Sequence, residues 1–444
     1  MSLITTALTY SKESMTEYFI KPLFLGEDII QDLTVHTDVK SSKKLNLIDK
    51  LNKITKAYAQ GTSFTPSTGV TITQKTLTTG RMKAEVRQAG REFYNMVMQA
   101  ALKSGVNQND ISGTIFEEII FKLFYDALYA DIQRQIWFND TNKTTVSSDA
   151  ATATADTNYN VYQGHWSRII ADVASSTIAA SQRVDLNSTT YLSTAGVKQQ
   201  ATVTITGSAG TGTITFGGTA YTVTYATSVT VTAAAFVTAN AATIAARFGG
   251  AVVTSSAGVI TFVANVAGQP FTIASVGAGG LTLTDAATVA NVDMSTPKAD
   301  GALACFKAMY AAMPPVLKNR KSEAKIYATA SLVDNYRTTL ESATAGSEAA
   351  YYAVINGVKT LAYRGIPIVE KPEWDVYIDE DFGDMYPNRA LLTIPANLHI
   401  GTDAESDYLM AELWYDKPTQ ENVFRVEYDM GTQYLHPDYI VAAY

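Results

Sequence analysis

Residues 114–137 read Thr-Ile-Phe-Glu-Glu-Ile-Ile-Phe-Lys-Leu-Phe-Tyr-Asp-Ala-Leu-Tyr-Ala-Asp-Ile-Gln-Arg-Gln-Ile-Trp, and this stretch decides the core of the fold. Thr114 and Glu117 have the spacing of a capping box, which marks the start of a helix. If the helix runs to Trp137, it holds about 24 residues and measures about 36 Å, long enough to brace an entire folded unit. Its apolar face is predicted to consist of Phe116, Ile119, Ile120, Leu123, Phe124, Leu128, Ile132 and Ile136.

The composition indicates a folded protein that does not read nucleic acid sequence. The chain has 444 residues and is 46% hydrophobic, enough for a sizeable core. Its 34 basic and 42 acidic residues give a net charge of -8, whereas dedicated nucleic acid readers present a strongly basic face. The single cysteine, Cys305, excludes an intrachain disulfide framework and fits a reducing cytoplasm. We expect neither a secretion signal nor a membrane span.

The region before the helix has an extended, polar character. Residues 1–60 are interpreted as an arm, in which Lys40 to Lys56 holds six lysines against one acid, Asp49. From Gly61 to Gly90 the sequence is rich in Thr, Ser and Gly and alternates apolar with polar residues, which predicts a long hairpin. Such a hairpin cannot bury both of its faces, so we expect it to lie across a neighbouring subunit.

Residues 200–292 differ from the rest of the chain, because Arg247 and Asp285 are the only charged residues in this threonine-rich stretch. The alternation predicts short strands, among them one at Val229 and Val231, while Ala233 to Phe248 has helical spacing. We predict an inserted, mostly β domain with one helix.

The remainder reads as mixed α and β sequence, so the predicted fold class is α+β. Helices are expected at Ala302 to Met313 and Ser331 to Leu340, with Ser331 as the N-cap of the second. The predicted strands are Lys325 to Thr329, a strand after the turn at Tyr363 to Glu370, Arg389 to Ile394, Val423 to Met430 and the tail Tyr439 to Tyr444.

Residues that could support chemistry are scattered, so no catalytic, cofactor-binding or metal-ligating residue is predicted. His36, His165, His399 and His436 lack zinc-ligand spacing and are assigned packing or surface roles. Two acidic groups lack the calcium-loop pattern and are interpreted as solvated loops, with a metal site as the alternative. Gly277 to Gly280 lacks a phosphate-loop lysine, and Cys305 lies on an apolar helix face. The acidic groups are Asp379 to Asp384 and the trio Asp403, Glu405 and Asp407.

Several sequence segments, taken in their order along the chain, resemble those of major capsid proteins of tailed bacteriophages, the HK97-fold family. The resemblance is in particular to crAss-like and related podophages. Together they cover about two thirds of the chain, and none is a catalytic signature. The specificity lies in their joint order of extended loop, long helix, mixed domain and returning strands. The segments are Lys75 to Glu85, Arg91 to Tyr94, Arg134 to Asp140, Arg364 to Val369 and Ala390 to Gly401.

The resemblance implies a division of the chain into the parts of an HK97-type subunit. It implies an N-terminal arm, an extended E-loop, a P-domain around the long helix, which is then the spine helix, and an A-domain that carries the insertion. The corresponding ranges are 1–60 for the arm, 61–92 for the E-loop, 93–145 and 376–444 for the P-domain, 146–199 and 293–375 for the A-domain and 200–292 for the insertion.

The implied function is structural, with no enzymatic activity and no cofactor. The subunit would assemble in the host bacterial cytoplasm into hexamers and pentamers of an icosahedral virion around double-stranded DNA. Its expected partners are copies of itself, separate scaffolding, portal and decoration proteins, and DNA in nonspecific contact. Some family members crosslink an E-loop lysine to a neighbour's asparagine, for which Lys75 and Lys83 are the candidates here, although we expect noncovalent packing.

Three other functions were considered. An encapsulin compartment has the same fold but is usually shorter, lacks such an insertion and holds an enzyme as cargo. A cell-surface adhesin is suggested by the threonine-rich domain alone, and the absent signal sequence counts against it. A hydrolase is disfavoured because no Gly-x-Ser-x-Gly elbow occurs.

Overall fold

The computed structural model describes residues 8–9, 33–48, 55, 60, 72–89, 115–144, 156–342, 352–355, 358–383, 385–403 and 410–444. The helices in these ranges are α1 Ile115–Phe138, α2 His165–Ala174, α3 Val229–Ala245, α4 Gly301–Ala312, α5 Pro315–Asn319, α6 Ala330–Ser342 and α7 Pro372–Phe382. Short 3-10 turns occur at Ala180–Gln182, Lys321–Glu323, Pro395–Asn397 and Pro437–Tyr439.

The strands are also numbered in chain order. They are β1 Leu8–Thr9, β2 Thr34–His36, β3 Ser42–Ile48, β4 Ile72–Thr78, β5 Gly80–Ala89, β6 Arg183–Val184, β7 Gln200–Gly207, β8 Thr211–Phe216, β9 Thr219–Thr224, β10 Ala251–Ser256, β11 Val259–Ala264, β12 Ile273–Ala278, β13 Leu281–Val289, β14 Lys325–Thr329, β15 Tyr352–Ile355, β16 Val358–Tyr363, β17 Ile366–Lys371, β18 Ala390–Thr393, β19 Leu398–Thr402, β20 Met410–Asp416, β21 Glu421–Tyr434 and β22 Val441–Ala443. The predicted α+β class is confirmed.

The chain divides into two compact units. The first contains residues 1–138, 161–168 and 395–436, and the second contains 139–160, 169–394 and 437–444.

In the first unit a mixed sheet packs against the long helix. The sheet has the strand order β1-β20-β21-β19-β2, and β5 also pairs with β21. Helix α1 spans the predicted 24 residues, and Phe124 on it contacts Phe424 on β21 with ring centroids 6.1 Å apart. The side chains of five predicted core positions are described, and four of them are buried. The fifth, Leu123, is 63% exposed, so its prediction as a core residue is wrong. The capping box lies outside the described side chains. The four buried positions are Phe124, Leu128, Ile132 and Ile136.

The predicted hairpin within residues 61–92 is wrong in its pairing. Strand β4 pairs antiparallel with β3, whose residues belong to the predicted arm, and we call these two strands the β3–β4 hairpin. Strand β5 instead pairs over ten residues with β21 of the same chain. Alternation alone identified the strands, but it carries no information about which distant strand supplies the partner. The expectation that this entire segment lacks a partner in its own chain is therefore corrected.

In the second unit a seven-stranded sheet has the order β15-β16-β17-β14-β18-β22-β6. The central strand β14 runs parallel to β17 and antiparallel to β18, and the C-terminal strand β22 pairs with β18. Strands β18 and β22 thus belong to the second unit, whereas the long helix α1 belongs to the first. Sheet pairing over a long sequence separation brings these apolar strands into the core under α4 and α6.

Residues 200–289 form the predicted mostly β structure with one helix. A four-stranded sheet, β10-β11-β7-β13, and a three-stranded sheet, β12-β8-β9, share one core with α3. The predicted strand at Val229 and Val231 is wrong, because both residues lie in the first turn of α3. Ser228 caps this turn by accepting a hydrogen bond from the Val231 amide, which overrides the β preference of valine. The chain enters and leaves the insertion side by side, since Val197 and Val292 form an antiparallel bridge.

The N-cap of α6 also differs from the prediction. The helix begins at Ala330, so Ser331 lies within its first turn. The carboxylate of Asp375, on α7, accepts hydrogen bonds from the amides of Ala330 at 2.6 Å and Ser331 at 3.4 Å. A neighbouring helix thus supplies the cap that the local sequence was expected to supply.

Candidate functional site

The feature of the first unit that stands out is the β3–β4 hairpin and the place where it is anchored, which we call the hairpin root. Gly401 on β19 and Gly431 on β21 are directly opposite each other in the sheet. A Cβ on Gly431 would lie 2.1 Å from the carbonyl oxygen of Thr78, and one on Gly401 would lie 2.7 Å from Leu77. The two glycines therefore form a gap in the sheet surface that the end of β4 occupies.

Apolar and polar contacts hold the hairpin root in this gap. Val39, Leu45 and Leu77 form a small buried cluster against Leu435. The Gln433 side chain donates a hydrogen bond of 2.9 Å to the carbonyl oxygen of Thr76. These contacts fix the base of the hairpin on the sheet of its own chain.

Beyond the root, the hairpin is exposed. Leu45 and Leu77 are the buried side chains among those described on β3 and β4, and Ile72 is 62% exposed. In the described part of the chain, β3 and β4 form a two-stranded sheet with no third strand. Because an isolated two-stranded sheet is marginally stable, the exposed side chains of β3 and β4 are candidates for contact with another surface.

The two lysines considered for crosslinking lie in different surroundings. The Lys75 ammonium lies 3.5 Å from the ring centroid of Tyr434, in a cation–π contact at the hairpin root. Lys83, on β5, is 62% exposed and pairs with Glu85 at 2.9 Å. No described contact distinguishes a crosslinking role for either lysine, and the expectation of noncovalent packing stays a prediction.

Strands β5 and β21 carry a ladder of ion pairs on their exposed face. Arg81 pairs with Glu427 at 2.7 Å, and Arg425 pairs with Glu85 at 3.3 Å. Exposed pairs of this kind contribute about 0–1 kcal/mol each. They set the register of the two strands more than their stability.

The structure brings together histidines that look isolated in the sequence. His36 Nε2 lies 3.0 Å from His399 Nδ1, and the two rings stack with centroids 5.2 Å apart. His165 is fully buried against Trp137. Burial lowers the pKa of His399 to about 4 and that of His165 to about 3, so these rings are neutral at pH 7. Sequence spacing could not find the His36–His399 pair, since its members are 363 residues apart.

The acidic groups do not form a metal centre in the described part of the chain. No three His, Cys, Asp or Glu side chains among the described residues are arranged to hold an ion. Asp381 accepts a short hydrogen bond from the Tyr159 hydroxyl, and Asp403 is buried and accepts one from the Asp429 amide. Glu405 and Asp407 lie outside the described residues. Asp379 borders a cavity of about 530 Å³ in the second unit, together with Asp375 and Asn388.

The other two candidates have structural explanations. Gly279 and Gly280 take the positive φ values of the turn between β12 and β13. Cys305 is fully buried on α4, and burial raises the pKa of its thiol to about 12. A thiol with that pKa is protonated at neutral pH and is a poor nucleophile.

A buried lysine in the second unit was missed by the sequence analysis. Lys143 is 1% exposed and pairs with Asp156 at 3.3 Å. Its ammonium also lies within 5.4 Å of the ring centroids of Tyr159, Phe248 and Phe382. Burial lowers the pKa of Lys143, an effect that Asp156 opposes. Because Phe248 belongs to the insertion, this cluster ties the insertion to α7.

Among the helices that the structure describes, none is long and apolar enough to cross a membrane. Neither a family model nor a curated protein sequence matches the chain. Structures of phage capsids match this chain along nearly its whole length.

Three of these matches illustrate the level of similarity. The satellite phage P4 procapsid, a structure that includes the size determination (Sid) protein, matches with 8% identity over 96% of this chain and 98% of its own, at a TM-score of 0.44. The cyanophage Pam1 capsid matches with 11% identity over 100% and 97%, at 0.40. Microbacterium phage Oxtober96 matches with 8% identity over 93% and 88%, at 0.40.

Proposed function

We propose that this chain is a major capsid subunit of the HK97 type, which assembles into pentamers and hexamers of a tailed phage head. The observation that carries the proposal is the β3–β4 hairpin, which is firmly anchored at its root and exposed beyond it. It would act as the E-loop, and α1 as the spine helix of the P-domain.

The hairpin supports assembly in rings rather than in isolated pairs. Its outer residues would contact a different surface of the next copy, and that contact would be heterologous. Heterologous contacts repeat from subunit to subunit and close into rings when the rotation permits, whereas a single two-fold contact ends at a dimer. A ring of such contacts gives every hairpin in the shell a partner.

The remaining roles follow from this proposal. The residues before β3 would contribute an arm, of which β1 already pairs with β20 of the same chain. The insertion would lie on the outer face of the shell. Scaffolding, portal and decoration proteins would be separate partners, and the exposed Lys43 and Lys44 would be available for nonspecific contact with packaged double-stranded DNA. Assembly would take place in the host cytoplasm.

Electron microscopy of the purified protein, produced together with its scaffolding partner, tests the proposal. We expect closed icosahedral shells with pentameric and hexameric capsomers. Monodisperse monomers or dimers under the same conditions would contradict it. Shells that contain an enzyme in place of DNA would assign the protein to the encapsulin compartments.

A variant of the hairpin tests the observation itself. Ile72→Glu places a charge on an exposed position of β4, so we expect the thermal melt of the unassembled subunit to stay unchanged while shell formation is lost. Ile72→Val keeps the position apolar and serves as the matched control that still forms shells. Normal shells from Ile72→Glu would show that the outer part of the hairpin is not in a subunit contact.

A further inference from the structure

The hairpin root contains a pair of stacked histidines that join two distant parts of the chain. His36 is the last residue of β2, which runs parallel to β19 over only three residue pairs. The Nε2 atom of His36 lies 3.0 Å from the Nδ1 atom of His399 on β19, and the angle between the two ring planes is 12°. This contact adds to a strand pairing that is short.

The position of Lys43 determines where the ring protons lie. The Lys43 ammonium on β3 is 3.4 Å from His36 Nδ1, and an ammonium group can only donate. His36 Nδ1 therefore accepts, His36 Nε2 carries the proton and donates to His399 Nδ1, and His399 carries its own proton on Nε2. His399 Nε2 is buried with no hydrogen bond partner among the described residues. The chain of donors from Lys43 to His399 is complete when both rings are neutral.

An additional proton has no place in this arrangement. On His36 it would sit at Nδ1 and face the Lys43 ammonium, and on His399 it would sit at Nδ1 and face the His36 N–H. Either proton breaks one of the two hydrogen bonds, and the proton on His36 also places two positive charges in contact.

Among the described residues, no acidic group shifts the pKa of these rings. His36 is faced by Lys43 from β3 and His399 from β19, and His399 also by His436. His165, behind them, is influenced by Arg168 and His399. Every neighbouring group that shifts the pKa of these three rings is itself basic, and burial lowers each pKa further.

We propose that His36, His399 and Lys43 form an acid-sensitive latch that holds β2 and the hairpin root on β19 at neutral pH and releases them on acidification. A histidine with a lowered pKa in the closed state is protonated first in the open state. The latch is therefore fully stable above about pH 6.5 and weakens as the pH falls toward the value of about 4 that His399 has in the closed state. The latch belongs to the single chain and does not depend on assembly.

Hydrogen exchange of the unassembled full-length chain between pH 7.5 and 4.5 tests this proposal. After correction for intrinsic rates, we expect exchange in residues 33–48 and 72–78 to accelerate on the order of 50-fold toward pH 4.5. Residues 200–264, which contain no histidine, are the internal reference and should stay protected.

Variants assign the effect to the pair. His36→Gln with His399→Asn replaces each ring by an amide at the corresponding nitrogen position, so the hydrogen bond can form without a titrating group, and we expect a flat pH response. His436→Gln removes one of the basic groups that lower the pKa of His399, so we expect its acid response to persist in a weaker form. An unchanged response of the double variant would overturn the proposal and assign the effect to His165, and loss of protection in residues 200–264 at the same pH would show global unfolding instead.

A second measurement needs no substitution. In an NMR titration with labelled histidine, the latch requires the pKa values of His36 and His399 to be coupled and both to lie below 6.5. Independent titration near 6.5 would contradict it even if the double variant failed to fold.

Discussion

Lys143 is a buried basic residue in the second unit, and its ion pair with Asp156 compensates the buried charge. Removing one member of a buried pair leaves the other uncompensated, which costs about 3–5 kcal/mol. We expect Asp156→Asn to lower the free energy of unfolding by that amount in denaturant titrations. Lys143→Met combined with Asp156→Asn should recover much of the loss, because no buried charge remains. Asp438→Asn, an exposed position with the same change in charge, is the control and should be neutral.

The sequence identifies Lys75 as a candidate for crosslinking, but its role depends on its contacts in the structure. Its ammonium is already held over the Tyr434 ring of its own chain. We expect assembled shells boiled in detergent to run as a single band at the chain mass of 47.9 kDa. A ladder of higher bands that disappears in Lys75→Ala or Lys83→Ala would contradict noncovalent packing.

At the scale of single elements, the hairpin depends on a glycine in another strand. Gly431→Ala would place a methyl group 2.1 Å from the Thr78 carbonyl oxygen, so the hairpin root must move. Overpacking of this kind costs about 1–3 kcal/mol. We expect faster hydrogen exchange in β3 and β4 and lower shell yield, with exchange in β14 and β17 unchanged. Unaltered protection of β4 would show that the hairpin is not seated on this glycine.

Helix α6 depends in a similar way on a residue outside it. Asp375→Ala removes the acceptor for the first two amides of the helix, and the loss of a cap costs about 1 kcal/mol. Asp375→Asn should keep part of the effect because asparagine is also a good cap. Thermal melts of the unassembled chain measure the difference. Asp379→Ala, an exposed acid one turn further along α7, is the matched control and should have little effect.

For the whole molecule, the insertion is the part whose removal tests the architecture. Val197 and Val292 exchange two backbone hydrogen bonds, of 2.8 and 3.0 Å, so a two-residue Asn-Gly turn can join them in place of residues 198–291. We expect the shortened chain to unfold cooperatively and to lose about 1–3 kcal/mol, since Phe248 no longer covers Lys143 and Gln269 no longer bonds to Phe382. A chain that aggregates or melts without a cooperative transition would show that the insertion is part of the main core.

The sequence by itself determined the local elements, because periodicity and capping act within a few residues. It located α1 to within a residue or two, the strand Lys325 to Thr329, the turn at Arg364 and Gly365, and the change in character at 200–292. The prediction is wrong at Val229, where the strand preference of valine competes with the helix cap at Ser228. It is also wrong at the start of α6, because the Ala330 amide is capped by Asp375 of another helix.

Only the tertiary structure decided the contacts between distant residues. Four contacts illustrate this: the pairing of β5 with β21, the pairing of β22 with β18, the glycine gap at the hairpin root and the His36–His399 pair. Each joins residues that are far apart in the chain or lie in separate elements. The physical reason is that strand pairing uses backbone groups that every residue carries, so the sequence specifies that a strand forms but not which strand it meets. The proposed function rests on those long-range contacts, since they separate the anchored root of the hairpin from its exposed part.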